Sequence, residues 1–268
     1  MKVEILGNVQ DGGVPHLGCG CDVCEAARED QRNQKYIASV LLKESSDEDS
    51  IRYLIDATTD IRYQIKGDYI DGIFVSHGQL GHITGLLEFG EEGCDKNGLP
   101  VYVTDKTRNF IERNDPYRLL IDKNNIDLKD FNDGDNLKLQ GAEIEAREAD
   151  HSRLNTDTTS FMIKGPNKKL FYMSDIHAWT EETLESVKEA DIAIVDGTFW
   201  NEGEIDRFEE VTHPVMKETM HKTEDWDTEI YFTHLNHTNP ALREDTEERE
   251  ELEERGFHVA EKGTEIEL

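Results

Sequence analysis

The sequence predicts a mixed fold of the α/β or α+β class, in one domain that spans residues 1–268. The main observation is that apolar runs of strand length alternate with segments whose apolar residues recur at helical spacing. The clearest unit covers residues 71–90, in which an apolar run, a polar glycine-bearing loop and a helical pattern follow one another. The chain also has no repeat, no low-complexity linker and no break in composition, which favours a single domain.

The first half of the chain has runs that predict strands, at residues 3–6, 37–42, 51–55, 73–75 and 101–103. Polar or helical patterns between them predict helices at 25–34, 61–65, 83–90 and after Thr104. The charged segment ESSDEDS is expected to be the tip of a hairpin. Asp56 follows the third of these strands, and we expect it to cap a helix or bond to a loop and not to be catalytic.

The second half predicts further strands, at residues 144–149, 161–163, 170–173, 192–195 and 230–232. Four polar residues follow such strands, namely His151, Asp175, Asp196 and His234. An aspartate between a strand and a helix is often only a cap, so Asp175 has that alternative. Helices are predicted over 181–190, capped by Thr180, and from Asn239-Pro240 to Gly256, with an acidic face that needs no partner.

The charge of the chain excludes some partners. There are 59 acidic and 29 basic residues, which give a net charge of -30, and the acidic residues are spread along the whole sequence. Such a surface repels nucleic-acid backbones and anionic membranes, so we expect neither as a partner. The excess is explained either by a strongly solvated surface or by a protein of a high-salt cytoplasm, where ions screen the repulsion.

The sequence also favours a cytoplasmic location. The start MKVEILGNVQ has too short an apolar run for a secretion signal, and nowhere do about 18 apolar residues follow one another as a membrane helix requires. Three of the four cysteines fall within six residues. In a cytosolic chain this clustering favours metal ligation over disulfides.

Cys19, Cys21 and Cys24 form a CxCxxC cluster at the end of a glycine-rich loop. Three thiolates this close can take three corners of a zinc tetrahedron and leave the fourth to a distant residue. The alternative is three reduced thiols without a metal, but a glycine loop is not an ordinary place for core packing. We therefore expect zinc at this cluster.

His77 and His82 lie in the loop after the strand at 73–75, a position where α/β proteins collect functional groups. Two imidazoles there could share a metal ion, although loop histidines without that role are common. The run His77-Gly-Gln79-Leu-Gly81-His82 resembles the HxHxDH signature of the metallo-β-lactamase superfamily, with Gln79 and Gly81 in place of the second histidine and the aspartate. The order of His151, Asp175 and His234 along the chain is similar too. The resemblance implies a four-layer αββα sandwich with metals at one sheet edge.

Within that superfamily the chain most resembles the coenzyme PQQ synthesis protein B family. The shared motifs are the glycine loop with CxCxxC at 10–24, Gln79 with HITGLL at 82–87, DGTFW at 196–200, and His234 with TNP at 238–240. In that family Gln79 is usual, whereas His77 and Gly81 stand where it usually has acids. Asp175 in turn looks like the corresponding residue of hydrolytic relatives.

The phosphonate-pathway cyclic phosphodiesterases are a second family that the chain resembles. They share the CxCxxC cluster and complete it with a histidine three residues after the last active-site histidine, which here is His237. The resemblance implies a structural zinc held by Cys19, Cys21, Cys24 and His237. Those enzymes also place a substrate-facing histidine before the last strand, and His213 could match it. Its loop-like context is equally typical of a surface histidine.

The resemblances imply a set of active-site metal ligands, namely His77, Gln79, His82, His151, Asp175 and His234. We expect His77, His151 and Asp175 on one ion, and His82, His234 and the shared Asp175 on another. Gln79 offers at best a weak oxygen ligand and Gly81 offers none, so one ion of Zn, Mn or Fe should be strongly held and a second weak or absent. His213 and Asp175 are the predicted catalytic residues, and His177 is placed near Asp175.

Three functions follow from these resemblances. The favoured one is a metal-dependent hydrolase in which a metal-activated water attacks an ester or phosphodiester, while His213 stabilises or protonates the leaving oxygen. An alternative is an iron-dependent oxygenase or hydroxylase in the biosynthesis of a PQQ-like quinone cofactor. A third is a carrier or binding protein with a degenerate site. The substrate is expected to be a small molecule or peptide-derived, and the protein could be a homodimer.

Overall fold

The structure is a computed structural model that describes residues 1–44, 51–65, 67, 70–151, 156–206, 208, 211 and 213–268. Two seven-stranded sheets form its centre over these residues. The first sheet contains, from one edge to the other, β14 (Glu265–Glu267), β1 (Lys2–Gly7), β2 (Ser39–Lys43), β3 (Arg52–Ile55), β4 (Gly72–Phe74), β5 (Leu99–Val103) and β6 (Ile126–Asp130). Strands β3 to β6 run parallel to one another, whereas β1 pairs antiparallel with both β14 and β2.

The second sheet has the same number of strands and comes mainly from the second half of the chain. It contains, in spatial order, β13 (His258–Val259), β12 (Glu229–Thr233), β11 (Ile192–Asp196), β10 (Lys169–Met173), β9 (Thr158–Lys164), β8 (Ala142–Ala149) and β7 (Asn136–Leu139). Strands β10, β11, β12 and β13 are parallel, and β7, β8, β9 and β10 pair antiparallel.

The two sheets pack face to face through apolar side chains. Residues of both sheets share one buried cluster, to which the first sheet contributes Val3, Val40 and Phe74 and the second contributes Phe161 and Ile194. Phe74 stacks on Tyr102 of the same sheet with ring centroids 4.6 Å apart, and the ring of Phe161 meets it edge-on at 5.9 Å. Burial of such rings is the main contribution of the middle layers to stability.

Helices cover the outer faces of both sheets. The helices are α1 (Asp22–Glu29), α2 (Ile61–Gln64), α3 (Leu80–Ile83), α4 (Asp105–Arg113), α5 (Asp115–Asp122), α6 (Glu181–Glu189), α7 (Met216–Thr223) and α8 (Glu247–Glu254). Ile111 of α4 and Leu120 of α5 pack on the first sheet, while Val187 of α6, Met220 of α7 and Leu252 of α8 pack on the second. The layers therefore follow the order αββα, which confirms the predicted fold class.

The helix predicted over 83–90 is mostly a 3₁₀ helix, Thr84–Phe89, and two other predicted helices are each interrupted by local hydrogen bonds. In the stretch 25–34, the side chain of Asp30 accepts a bond from the backbone N–H of Arg32 and starts a separate 3₁₀ turn over Gln31–Asn33. Asn239 does cap a helical turn that begins at Pro240, but that turn ends at Leu242. Thr246 caps α8 anew, and Gly256, with φ of +81°, follows its end. The predicted hairpin tip at 45–50 lies outside the described residues.

The parallel strands bring chemically active residues to one edge of the molecule. Strands β3 and β4 of the first sheet end just before Asp56 and His77. In the second sheet, β8, β10 and β12 end just before His151, Asp175 and His234. No helix that the structure describes is both long and apolar enough to cross a bilayer.

Candidate metal centre

Asp56 lies under the candidate site and fixes the orientation of His77. It has φ of +67° and no exposed surface. Its carboxylate accepts bonds from the backbone N–H and the hydroxyl of Ser76, both at 2.7 Å. Because the Ser76 hydroxyl donates to Asp56, it accepts from Nδ1 of His77 at 2.9 Å. Nε2 of His77 therefore keeps a free lone pair, and it points into the site 3.5 Å from Asp175.

The same carboxylate also orients His82. Nδ1 of His82 donates to Oδ2 of Asp56 at 2.8 Å, so the ring presents Nε2 to the site. Burial would lower the pKa of His82, but the carboxylates of Asp56 and Asp11 outweigh it and hold that pKa well above its usual value. Burial, with the neighbouring His82, lowers the pKa of His77 well below its usual value.

His234 follows β12 and enters the site from the second sheet. Its backbone is left-handed, with φ of +61°, and its Nδ1 lies 3.0 Å from the hydroxyl of Thr198. Asp196, at the end of β11, accepts from the backbone N–H of Thr198 at 2.8 Å and so fixes the loop that contacts His234. Nε2 of His234 lies 3.6 Å from Asp175.

His151 and Gln79 contact each other. The side-chain nitrogen of Gln79 lies 2.7 Å from Nε2 of His151, and Nδ1 of His151 lies 3.2 Å from Oδ1 of Asp175. Burial lowers the pKa of His151 to about 4. An amide turned with its oxygen toward Nε2 would hold the proton there and leave Nδ1 as a metal ligand. Gln79 is thus placed to orient His151, and its predicted role as a weak ligand stays a prediction.

His213 is buried, with 8% of its surface exposed, so the alternative of a surface histidine is wrong. Its Nδ1 donates to Oδ2 of Asp196 at 2.8 Å and lies 3.4 Å from Asp175. The ring is therefore held beside the same carboxylate that the other histidines face. His177 is half-buried and lies against His151, with ring centroids 4.2 Å apart, as its predicted nearness to the site requires.

Asp175 is the centre of the cluster. It is 2% exposed, and four imidazoles approach its oxygens within 3.6 Å, those of His77, His151, His213 and His234. Burial would raise the pKa of Asp175, but these imidazoles hold it well below its usual range. A buried carboxylate that stays ionised beside several imidazoles is suited to bind a cation together with them.

The unpaired atoms of the site show that these residues fit a metal ion. Six buried atoms face one another without a hydrogen-bond partner, namely Nε2 of His77, His82 and His234, Nδ1 of His151, and Oδ1 of Asp175 and Asp11. Buried polar atoms are normally paired, and a cation would satisfy this set, in which every atom can act as an acceptor. Nitrogen and carboxylate ligands suit Zn, Mn and Fe.

The grouping of these ligands differs from the predicted one. Ligand atoms that lie within 4.8 Å of one another form the groups His77, His82 and Asp175; Asp11, His82 and His234; and Asp175, Asp196, His213 and His234. His82 thus lies with His77 as well as with His234, and His151, which we expected beside His77, has its ring centroid 5.3 Å from that of His77. Asp11 and Asp196 had no predicted part in the site. The sequence offered no signal for Asp11, because it lies in a glycine loop 71 positions before His82.

The cysteine cluster forms a second group of ligands away from this centre. Atoms of Cys19, Cys21, Cys24 and His237 lie within 4.8 Å of one another, and Nδ1 of His237 is 3.6 Å from Cys19 and 3.5 Å from Cys21. All described cysteines are free thiols. A backbone hydrogen bond from Cys21 lowers the pKa of the Cys19 thiol, whereas burial raises that of Cys24 to about 11. The sequence therefore predicted which four residues meet here.

Comparisons with known proteins agree with this fold. Residues 51–251 match a family model described as beta-lactamase superfamily domain. The chain is 27% identical to coenzyme PQQ synthesis protein B of Pseudomonas syringae pv. syringae and 26% identical to that of Nitrosococcus oceani, over 100% and 99% of both chains. Among solved structures, zinc-bound PqqB from Methylobacterium extorquens has a TM-score of 0.86 at 23% identity, with 100% of both chains covered. A diphosphatase from the PhnP family has a TM-score of 0.74 at 23% identity, with 100% of this chain and 96% of that chain covered.

Proposed function

This chain belongs to the beta-lactamase superfamily, and from this we propose that it is a metal-dependent hydrolase of esters or phosphodiesters. The observation that carries the proposal is the buried Asp175 carboxylate, which four imidazoles approach within 3.6 Å. Structural neighbours of this fold include a diphosphatase and a human tRNase Z. Their names support hydrolysis by analogy of fold, and the site residues carry the argument.

The residues that would hold the ion are those with unpaired buried atoms. His77, His82 and Asp175 form one group of ligands that lie within 4.8 Å of one another, and His151 approaches the same carboxylate. A Zn²⁺ or Mn²⁺ ion bound there would lower the pKa of water toward neutrality and polarise an ester or phosphoryl oxygen. Asp56 supports this by fixing the ring orientation of His77 and His82.

His213 supplies the proton in this proposal. Its Nδ1 donates to Asp196, which is fully buried, so the carboxylate stabilises the protonated ring. Such a ring can protonate the leaving oxygen of an ester as the bond to that oxygen breaks. The arrangement resembles the use of a buried aspartate to hold a histidine in one tautomer in other hydrolases. Replacement of Asp196 by asparagine should therefore lower turnover without loss of the bound ion.

A second candidate function is oxidation in the biosynthesis of a PQQ-like quinone cofactor. The observation that favours it is the similarity, over the full length, to proteins named coenzyme PQQ synthesis protein B. The same histidines and Asp175 are suitable ligands for iron in an oxygenase. Oxygen uptake with a tyrosine-containing peptide tests this candidate.

The test uses the full chain stripped of metal and reloaded with Zn²⁺, Mn²⁺ or Fe²⁺. Bis-p-nitrophenyl phosphate and p-nitrophenyl acetate report hydrolysis, and an oxygen electrode follows tyrosine-containing peptides. Hydrolysis with Zn²⁺ or Mn²⁺ that His151→Ala and Asp175→Ala abolish supports the proposal. His221→Ala is the matched control, because that side chain is 85% exposed and pairs only with Glu224 among the described contacts. Activity with iron and oxygen alone favours the second candidate, and silence in both assays favours a binding protein.

Two further proposals concern the rest of the molecule. Zinc at Cys19, Cys21, Cys24 and His237 is proposed to be structural, since it would join the N-terminal loop to the residues after β12. The net charge of -30 supports a working place in a high-salt cytoplasm.

A further inference from the structure

The N-terminal loop brings one aspartate to the candidate centre. Backbone hydrogen bonds hold this loop beside His234, since Gln10 donates to Leu235 at 3.1 Å and Leu235 donates to Asn8 at 2.8 Å. A tight turn follows, in which the backbone N–H of Gly13 donates to Gln10 at 2.9 Å. Asp11 lies in this turn, so its position depends on hydrogen-bonded backbone and not on a free loop tip.

The carboxylate of Asp11 points inward. Its side chain is 37% exposed, yet Oδ1 is buried and makes no hydrogen bond. Oδ1 lies 3.1 Å from Nε2 of His82 and 3.8 Å from Nε2 of His234, and neither nitrogen has a hydrogen-bond partner. Nδ1 of His82 already bonds to Asp56, so Nε2 is the ring nitrogen that faces Asp11. Three buried ligand atoms therefore lie close together without a hydrogen-bond partner, and one cation among them would satisfy all three.

Gly81 makes room for this carboxylate. A side chain at position 81 would overlap with the carboxylate of Asp11, and its Cβ would lie 2.9 Å from the Cβ of Asp11. Atoms at these distances cannot coexist, so any residue larger than glycine at 81 would displace Asp11. Gly81 and Asp11 are therefore coupled, and the carboxylate occupies the volume that a side chain on residue 81 would fill.

We propose that Asp11 is a ligand of a second divalent cation, which it holds together with His82 and His234. The three ligand atoms lie within 4.8 Å of one another, which suits one ion, and two nitrogens with one carboxylate oxygen suit Zn²⁺ or Mn²⁺. A lone proton on His82 would pair Asp11 but would leave Nε2 of His234 unsatisfied, whereas one cation satisfies all three atoms. The centre then holds two ions, and not the single strong one that the sequence suggested.

This inference rests on the metal binding proposed above but not on hydrolysis, so binding is what we would measure. Metal-free full-length protein is titrated with Mn²⁺, followed by electron paramagnetic resonance and calorimetry, in 0.5 M KCl to screen weak surface binding. Mn²⁺ prefers oxygen and nitrogen ligands, so the cysteine cluster does not take part. We expect two tight sites in the wild type and a second site at least tenfold weaker in Asp11→Asn.

Two other variants make the result specific. Asp22→Asn removes the same charge from an exposed position in the first turn of α1 and should keep both sites. The double variant Asp11→Gly, Gly81→Asp moves the carboxylate to the other chain segment in the same volume, and we expect it to restore the second site. Thermal unfolding of each variant excludes simple misfolding. Asp11→Asn with two unchanged sites, or a wild type with only one tight site, would overturn the inference. Two tight sites without hydrolysis would instead refute only the proposed function.

Discussion

Asp56 orients two histidines of the candidate centre through hydrogen bonds. It accepts from Ser76 twice and from His82 once, and through Ser76 it also orients His77. The sequence predicted a helix cap or a loop hydrogen bond for Asp56, and the bonds from Ser76 confirm the second of these. Its effect on two histidines was not predictable, because they lie 21 and 26 positions further along the chain. The spacing of apolar residues predicts helices and strands but not which distant side chains touch.

Asp56→Asn should weaken metal binding while the fold is kept. The amide can replace only part of the hydrogen bonds, and a nitrogen that faces Nδ1 of His82 would favour the tautomer with its lone pair turned away from the site. We expect a loss of affinity for Zn²⁺ or Mn²⁺ of about 10–100-fold, as is usual for residues that orient metal ligands. Titration calorimetry measures the metal affinity, and Asp127→Asn on the exposed face of β6 is the control. Unchanged affinity would mean that the histidines hold their orientation without Asp56.

The low pKa of His151 predicts how the metal-free protein responds to acid. Burial lowers that pKa to about 4, whereas an unfolded histidine titrates near 6.5. Between these values the unfolded chain binds one more proton than the folded chain, so stability rises with pH and is lost as the pH falls from about 6.5 to 4.

Chemical denaturation of metal-free wild type and His151→Asn tests this. The difference in unfolding free energy, wild type minus variant, should shrink by on the order of 3 kcal/mol over that pH window. A difference that does not depend on pH would show that His151 is not held neutral by burial.

At the scale of elements, the order of strand ends, together with the family resemblance, predicted which residues would lie at one edge of the sheets. His77, His151, Asp175 and His234 each follow a predicted strand, and the parallel sheets bring those ends to one edge. What the sequence did not predict is the partner of each ligand across the sheets. Asp11 shows the reason, since its contact with His82 depends on a loop that pairs with Leu235 in a distant part of the chain.

Short polar strands were also missed. Strand β6 alternates buried Ile126 and Leu128 with charged residues, and β14 has Ile266 as its only buried residue. Each presents only one or two apolar residues to the sheet, which is too weak a pattern to separate from loop. Tertiary pairing with β5 and β1 decides their structure.

Loss of one thiolate should remove the proposed zinc link between the cysteine cluster and His237. Cys21→Ser should lower the zinc content of the purified protein by one ion per chain and lower its thermal midpoint, because zinc binding contributes folding energy. Cys94→Ser is the matched control, since that thiol is exposed and outside the cluster. Mass spectrometry of both variants measures the zinc content and so tests whether the cysteine cluster binds zinc. Equal zinc in both variants would refute the structural site.

At the scale of the whole molecule, charge sets the response to salt. Many basic side chains are paired at the surface, as Arg147 is with Glu145 and Glu189, but 59 acidic residues face only 29 basic ones. Exposed pairs contribute little, so they do not cancel the repulsion among the remaining acids. The net charge should therefore destabilise the folded state in dilute buffer.

The thermal midpoint should rise from dilute buffer to molar KCl, because the Debye length falls from about 30 Å at 0.01 M to about 3 Å at 1 M. Calorimetry of the metal-loaded protein measures it, and sucrose at equal osmolality separates screening from solute exclusion. A flat or falling midpoint in KCl would mean that local pairing already compensates the acids.

The central claim is that this fold holds a hydrolytic metal centre, and anaerobic turnover tests it most directly. Metal-free protein is loaded with Mn²⁺ under argon, and release of nitrophenol from bis-p-nitrophenyl phosphate is followed beside the Asp175→Ala variant. We expect turnover that needs the metal, needs no oxygen and disappears in Asp175→Ala, because the Asp175 carboxylate lies within 3.6 Å of His77, His151 and His234. Turnover that appears only with Fe²⁺, oxygen and a tyrosine-containing peptide would contradict the claim.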